Sequence, residues 1–358
     1  MERLGATIEE IHGVSIPIHF PRAKRGNLAL RRGVGVTRHP WGVLTIAGSD
    51  RYAFLNDTVT CRVPTDEGEV AYGFLLDPEG RIESDMYIVD AGDRYLCLTA
   101  PGTVSDIAAT LGGRTFIQDV TVEDVTGGHA VLGVHGATAT TKLTSVMPRG
   151  EAPMAPMSMS RGVVREEGVT IVRLDAPAGE PGFAVVCRVE DAGSVFDALV
   201  SLGALATPIG FETWLGLTLE AGTPLFNYEL GGRTPNVCGQ LGAPADLEKG
   251  CFIGQEVVAR IANLASPRRW LIGVRGDALG DEGTPVQTPS GDGELTRVAT
   301  SPTLGTDIAF AVVPESVEVP DTVTVDGDRS ASVVELPFIE GHERSARIPR
   351  YDTQPSSN

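Results

Sequence analysis

The sequence predicts an α+β protein that ends in a separate small β-barrel, and three observations carry that prediction. Between residues 35 and 126 short alternating runs of apolar residues are interleaved with helical ones, the pattern of a mixed layer. A second set of the same kind follows to residue 266. After Ser266-Pro267 the texture changes to short strands separated by Gly, Asp and Pro turns, the spacing of a barrel. The expected organisation is an N-terminal α+β region over residues 1–126 and a second α+β region over 127–266. A C-terminal barrel over 267–340 and a polar tail over 341–358, expected to be disordered, complete it.

Taken in order, residues 1 to 30 combine a short helical pattern (Ile8, Ile11) with a basic patch, Arg22, Lys24 and Arg25, that continues to Arg31 and Arg32. Gly42 to Ile46 reads as a strand and Ser49 to Leu55 as a helix. Glu69 to Leu76 and Ile82 to Val89 form a hairpin across Asp77-Pro78-Glu79-Gly80. Tyr95 to Thr99 is a further strand and Val104 to Leu111 a helix with Ser105 near its cap, so the layer is expected to be ferredoxin-like. Ala130 to Val134 is a strand leading into a helix from Ala137. A loop over 147 to 160 carries Met147, Met154, Met157 and Met159, a composition that suits a lid or a mobile surface loop. Gly162 to Leu174 and Phe183 to Val189 read as paired strands, and Ala192 to Leu202 as a helix. The barrel strands run from Trp270 to Leu336.

The chain has 358 residues, 42% of them hydrophobic, enough to bury the cores of two or three domains. No apolar run reaches the roughly 18 residues of a membrane span and the N-terminus lacks a signal-peptide pattern, so the protein reads as cytoplasmic. Forty-seven acidic against 29 basic residues give a net charge of −18. Such a surface repels phosphate backbones, which argues against direct nucleic-acid binding. Lysine occurs at Lys24, Lys142 and Lys249 alone, and arginine takes its place elsewhere. Acidic excess with scarce lysine suits molar salt, where the Debye length falls to about 3 Å. The five scattered cysteines, with no CxxC pair, argue against a disulfide framework and against a zinc site.

Two places invite chemistry. In Lys249-Gly250-Cys251-Phe252-Ile253-Gly254-Gln255-Glu256, the residues Val257, Val258, Ile261 and Leu264 predict a helix starting near Gln255, which leaves Cys251 on a turn ahead of it. A helix N-terminus and a neighbouring ammonium both favour thiolate, although a small buried turn cysteine fits the same spacing. In the hairpin, Asp85 lies among Ile82, Met86 and Ile88 and is expected to face either an interior or the wet side. A buried carboxylate there needs a partner, from the protein or from a ligand's amine or amide.

The stretch KGCFIGQE resembles the signature of the YgfZ-type folate-binding proteins, relatives of the glycine-cleavage T-protein, an aminomethyltransferase. Phe54-Leu55-Asn56-Asp57 with Val59-Thr60, the hairpin Leu75 to Ile82 with Asp85, Leu219-Glu220-Ala221-Gly222-Thr223-Pro224, and Ser301 to Gly305 with Ile308 to Ala311 resemble further motifs in the family's order. The resemblance implies three domains in a ring around a central hole in which tetrahydrofolate binds, the N-terminal region being the folate-binding one. It also implies that Tyr72 and Asp85 belong to the folate site, Asp85 lying by the nitrogen that receives the one-carbon unit. Glu180 is kept within the family's Gly-Glu-x-Gly-Phe run, but Ala184 stands where a second carboxylate is expected. Trp214 replaces an arginine and Thr99 an asparagine.

Two functions follow as expectations. In the first, the protein binds folate and supports iron-sulfur cluster assembly or repair, and through it tRNA-modifying enzymes. Cys251 is its functional thiolate, Lys249 and Arg260 are nearby cations, and iron-sulfur proteins are its partners. In the second it is a folate-dependent aminomethyl or methyl transferase, with Asp85 and Cys251 the candidate catalytic residues.

Overall fold

The computed structural model describes residues 1–21, 30–115, 117–147, 152–201, 206–264, 267–315 and 317–351. Arg22, Lys24 and Arg25 of the basic patch lie outside these residues. The chain opens with a hairpin, β1 (Thr7–Ile11) and β2 (Val14–His19), where a helical pattern was expected. Ile8 and Ile11 fit either period over so short a run. The turn His12-Gly13, with both φ angles positive, decides for strands.

Strand β3 (Val34–His39) is followed by β4 (Gly42–Ala47), helix α1 (Arg51–Asn56), β5 (Val70–Leu76), β6 (Ile82–Asp90) and β7 (Arg94–Thr99). Helix α2 (Val104–Gly112) and β8 (Thr121–Asp124) complete the first layer. Its sheet is antiparallel in the order β5-β6-β7-β4-β8, one strand more than a four-stranded ferredoxin-like layer. Apart from a bulge near Leu76 and Ile82, side chains alternate across it. Leu44, Ile46, Met86 and Ile88 meet Phe54, Leu55, Ile107 and Leu111 of the helices, while Tyr72, Phe74, Tyr87 and Val89 face the other way.

The second sheet comprises β9 (His129–His135), β10 (Ser158–Val164), β11 (Glu167–Arg173), β12 (Gly182–Arg188) and β13 (Ala206–Pro208) in the order β10-β11-β12-β9-β3-β13. β3 is thus hydrogen-bonded into this sheet although it precedes residue 126. Gly162 to Leu174, expected to be one strand, folds instead as β10 and β11 about Arg165, whose φ is 57°. Helices α3 (Ala139–Ser145) and α4 (Ala192–Val200) cover its outer face. Its inner face, with Val131, Val172, Leu174, Ala184 and Val186, packs on Tyr72, Phe74 and Tyr87 of the first sheet. Helix α5 (Phe211–Glu220) lies on β2, and helix α6 (Gln255–Leu264) follows the KGC turn.

The expected barrel is closed: β14 (Arg269–Gly276), β15 (Pro285–Thr288), β16 (Gly291–Ser301), β17 (Thr306–Pro314), β18 (Thr322–Val325) and β19 (Arg329–Val334) run in the order β14-β17-β16-β15-β18-β19. β19 pairs back onto β14. The disordered tail expected over 341–358 is overturned for its first eleven residues. Ser345, Arg347 and Ile348 are buried, His342 Nδ1 lies 2.6 Å from Glu180, and Tyr351 stacks on Trp270 at 4.6 Å. Polar composition misled because these side chains are satisfied by buried partners rather than by water. Residues 352–358 lie outside the described residues.

A buried histidine pair bridges β3 and β9, His39 Nε2 standing 3.2 Å from His135 Nε2. Burial drives both below the ordinary imidazole range, His135 to about 3. The unfolded chain therefore binds protons between pH 6.5 and about 3 that the folded chain refuses, so stability falls as pH falls through that window, by up to about 1.4 kcal/mol per pH unit for each proton. His135→Gln keeps a polar partner without the titration. Its melting temperature is expected to depend less steeply on pH between 6.5 and 4 than that of the wild type, and equal slopes would show the pair to be thermodynamically silent.

Candidate functional site

The hairpin register sets the site. Tyr72 pairs with Tyr87 and Phe74 with Asp85, so Tyr72 and Asp85 are diagonal neighbours on one face of the sheet. Tyr72 Oη donates to Asp85 Oδ2 at 2.6 Å, and both side chains are buried, Asp85 to 8% exposure. The interior alternative for Asp85 is the one the chain adopts. Burial raises the Asp85 pKa. The hydrogen bond from Tyr72 and the charge of Arg347 pull the other way without cancelling it.

These residues border a partly enclosed cavity whose lining is more apolar than polar, the character of small-molecule sites. Its walls are aromatic: Trp41, Tyr87, Phe211, Trp214, Phe226 and Tyr228. Trp41 is backed by His39, stacked at 4.3 Å and nearly parallel, and Trp214 stacks on Phe211 at 5.5 Å. Thr99 and Trp214 also border it, but Thr99 Oγ1 and Trp214 Nε1 are buried without a hydrogen-bond partner among the described residues, and Thr99, paired with Met86 and Gly42, turns its hydroxyl to the helix side of the sheet. An aromatic slot with an ionisable carboxyl fits a flat heteroaromatic ring bearing an amine or amide group. Thr99 and Trp214, where the family pattern lapses, thus stand at the cavity, whereas Ala184 is packed in the core between the sheets.

The cavity also contains a residue that the sequence did not announce. Arg347, from residues 341–351, lies with its guanidinium 4.4 Å from the Tyr72 ring centroid. It donates from Nε to Asp175 Oδ2 at 2.9 Å and from Nη2 to Asp175 Oδ1 at 3.1 Å and Tyr87 Oη at 2.8 Å. Tyr87 Oη and Ser345 Oγ each donate to Asp175 at 2.6 Å. Burial alone would raise the Asp175 pKa; Arg347 and these donors outweigh it and hold it below the usual range. Arg347 was readable only in Ile348 and Tyr351, apolar residues that punctuate a polar segment. Asp175 carried no signal beyond its place after a strand.

The other four candidate residues stand elsewhere. Glu180 is fully buried and accepts from Arg31 Nη1 at 2.9 Å while His342 Nδ1 lies 2.6 Å away, tying residue 31 to the C-terminal segment. Lys249 Nζ donates to the Asn56 carbonyl at the end of α1 and sits 5.6 Å from the Phe252 ring centroid. It lines a shallower cleft with Tyr52 and Arg62. Cys251 is exposed, the other four cysteines being buried, and it does not line the aromatic cavity. Arg260 is exposed and pairs with Glu256 at 2.8 Å, one turn away on α6. Of the Met loop, Met147 is in the core of the second sheet, Met154 is exposed, and Met157 borders the cleft and a further cavity behind Tyr72.

Comparison with known proteins decides the family. The model of the GCVT N-terminal domain matches residues 1–249. The chain belongs to this family. Curated GCVT relatives include an aminomethyltransferase of Geobacillus kaustophilus, 30% identical over 354 residues and covering 94% of this chain and 95% of the relative. An aminomethyltransferase of Cupriavidus necator is 29% identical over 94% of both chains. A probable aminomethyltransferase of Haloarcula marismortui is 28% identical over 95% of this chain and 96% of its own. The crystal structure of glycine cleavage system aminomethyltransferase T from Bartonella henselae superposes with a TM-score of 0.85 at 20% identity over 96% of each chain, which fixes the fold. Tyr72, Asp85, Thr99 and Trp214 fall within the GCVT match, and Cys251 and Arg347 fall beyond it. Among the described residues no helix is long and apolar enough to cross a membrane.

Because burial raises the Asp85 pKa, its charged form is the strained one: the carboxyl's contribution to stability is present at low pH and lost as pH rises through its folded-state value. Asp85→Asn keeps an acceptor for Tyr72 and removes that charge. The variant is expected to melt at or above the wild-type temperature at pH 8 and to lose any advantage near pH 3. A lower melting temperature at pH 8 would show that the charge is stabilising where it lies.

Proposed function

We propose that the protein is a tetrahydrofolate-dependent one-carbon transferase of the aminomethyl or methyl type, with the folate ring in the aromatic cavity. The observation that carries this reading is the buried Asp85 carboxyl, hydrogen-bonded to Tyr72 and bordering a slot walled by aromatic rings. The names of the relatives support it. The folate nitrogen's lone pair forms the new bond to the one-carbon unit while the bond from that carbon to the donor's heteroatom breaks and leaves with its pair. The proton shed by the nitrogen passes to Asp85, which can return it to the leaving group. A carboxyl whose pKa is raised toward the working pH suits that exchange.

The YgfZ-type reading, folate binding in support of iron-sulfur proteins, is favoured by the exposure of Cys251 alone among the five cysteines. In that reading Lys249 and Arg260 serve the thiol, although their partners here are Asn56 and Glu256. One-carbon transfer draws on the contents of the cavity and is preferred for that reason.

Calorimetric titration with tetrahydrofolate in molar salt tests the proposal. Wild type is expected to bind, Asp85→Asn to bind at least tenfold more weakly, and Cys251→Ser to match wild type in binding and in transfer. Absence of wild-type binding would remove the folate reading, and loss of transfer in Cys251→Ser would move the chemistry to the thiol.

A further inference from the structure

The transfer site is completed from a part of the chain far from the hairpin that begins it. We propose that Arg347 is a positioning residue of this site, carried in by residues 341–351 to hold the Tyr72 ring so that its hydroxyl fixes the Asp85 carboxyl at the cavity. This rests on the reading of Asp85 as the group that meets the substrate.

The geometry is over-determined around Arg347 and sparse around Asp85. The guanidinium is forked onto Asp175, tied to Tyr87 Oη and laid against the Tyr72 ring, so its own position is set by three neighbours. Asp85 Oδ2, by contrast, takes its one side-chain hydrogen bond among the described residues from Tyr72. Whatever holds the Tyr72 ring therefore holds the carboxyl. Behind Tyr72 lies the second cavity, bordered by Cys61, Met157 and Pro244, and Tyr72 and Arg347 are the partition between it and the aromatic one. Without the guanidinium the ring has room to swing backward and take its hydroxyl from Asp85.

Arg347 is itself anchored through its segment. Gln240 Nε2 donates to the Arg347 carbonyl at 2.6 Å, Glu343 pairs with Arg173 at 2.5 Å, and Tyr351 donates to the Val237 carbonyl at 2.6 Å. The charge of Arg347 acts in the same sense as its position. The titratable groups around Asp85 are Tyr72 and Tyr87 on the hairpin, Asp175 after β11, Arg347 on the C-terminal segment, and His12 and Tyr228 across the cavity. Arg347 is the one permanent cation among them, and it favours the ionised carboxyl that accepts the proton.

The test follows two signals in the full-length protein: the titration of Asp85 by carbon NMR, assigned with Asp85→Asn, and the pH dependence of tetrahydrofolate affinity. Removing Arg347 alone leaves Asp175 buried and unpaired, so the informative variant is Arg347→Met combined with Asp175→Asn, in which no lone charge is buried. Loss of the Asp175 charge by itself lowers the Asp85 midpoint, so the double variant is read against Asp175→Asn alone, and relative to it the midpoint is expected to rise by about one pH unit or more, a tenfold change in proton affinity. Tetrahydrofolate binding should weaken with a more alkaline profile, while Arg347→Lys should lie between it and wild type. An Asp85 midpoint in the folded double variant equal to that of Asp175→Asn, or a midpoint in Arg347→Lys equal to that of wild type should the double variant not fold, would make Arg347 a structural tie only. The NMR titration needs no ligand, so it judges Arg347 even if tetrahydrofolate fails to bind and the transferase reading falls.

Discussion

The ion pair between Arg347 and Asp175 is the constraint on which the centre of the molecule depends. It joins residues 172 apart and lies where the two sheets and the C-terminal segment meet. Taking both charges out of water is expensive, and a buried pair of this kind is often no more stabilising than apolar residues of the same volume. The pair holds here because every lobe of the carboxylate is used: Asp175 accepts from Arg347, Tyr87 and Ser345 at once. With Asp175 so saturated, Asp85 next to it is left with one donor and an open side. Two carboxyl groups a few residues apart in space thereby acquire opposite characters, Asp175 held ionised and Asp85 raised toward neutrality.

How much of this was legible follows from the range over which each signal acts. The hairpin that carries Tyr72 and Asp85 was readable because both strands are apolar-rich, alternate from Asp85 to Val89, and are joined by the local turn Asp77-Pro78-Glu79-Gly80. The barrel was readable for the same reason. The pairing of β3 with β9 was not, since it joins residue 35 to residue 135 and no local pattern distinguishes one sheet from another. The C-terminal segment failed most completely. Arg347 looked like one more arginine in a polar tail, and what buries it is a carboxylate at residue 175 and a phenol at residue 87. The KGC turn was read correctly as backbone, with α6 beginning at Gln255, but the partner of Lys249 is the end of α1 rather than the neighbouring thiol.

The departures from the family pattern also gain meaning from their positions. At Trp214, where the resemblance implies a cation, stands an indole that stacks on Phe211 and meets His39 edge to face. At Thr99, where the resemblance implies an amide, stands a buried hydroxyl with no partner among the described residues. Both changes make the slot more apolar and leave Arg347 as its fixed cation. With aromatic rings on its walls and Arg347 at its partition, the cavity suits enclosure and stacking more than the clasping of an anionic tail.

The charge of the whole chain bears on the same point. With a net charge of −18 the exposed pairs, such as Arg161 with Glu67 and Arg62 with Asp246, contribute little, and molar salt would screen them further. The pairs that join distant segments are of another kind. Arg347 with Asp175, Arg297 with Glu229, and Arg31 with Glu180 each have at least one fully or nearly fully buried partner, where mobile ions do not reach. In each the cation is arginine, whose planar fork satisfies a carboxylate and a second acceptor together, as a lysine ammonium does not. The scarcity of lysine that marks the surface is therefore also what the interior requires, and the potential at Asp85 is set by groups that the solvent's ionic strength leaves unchanged.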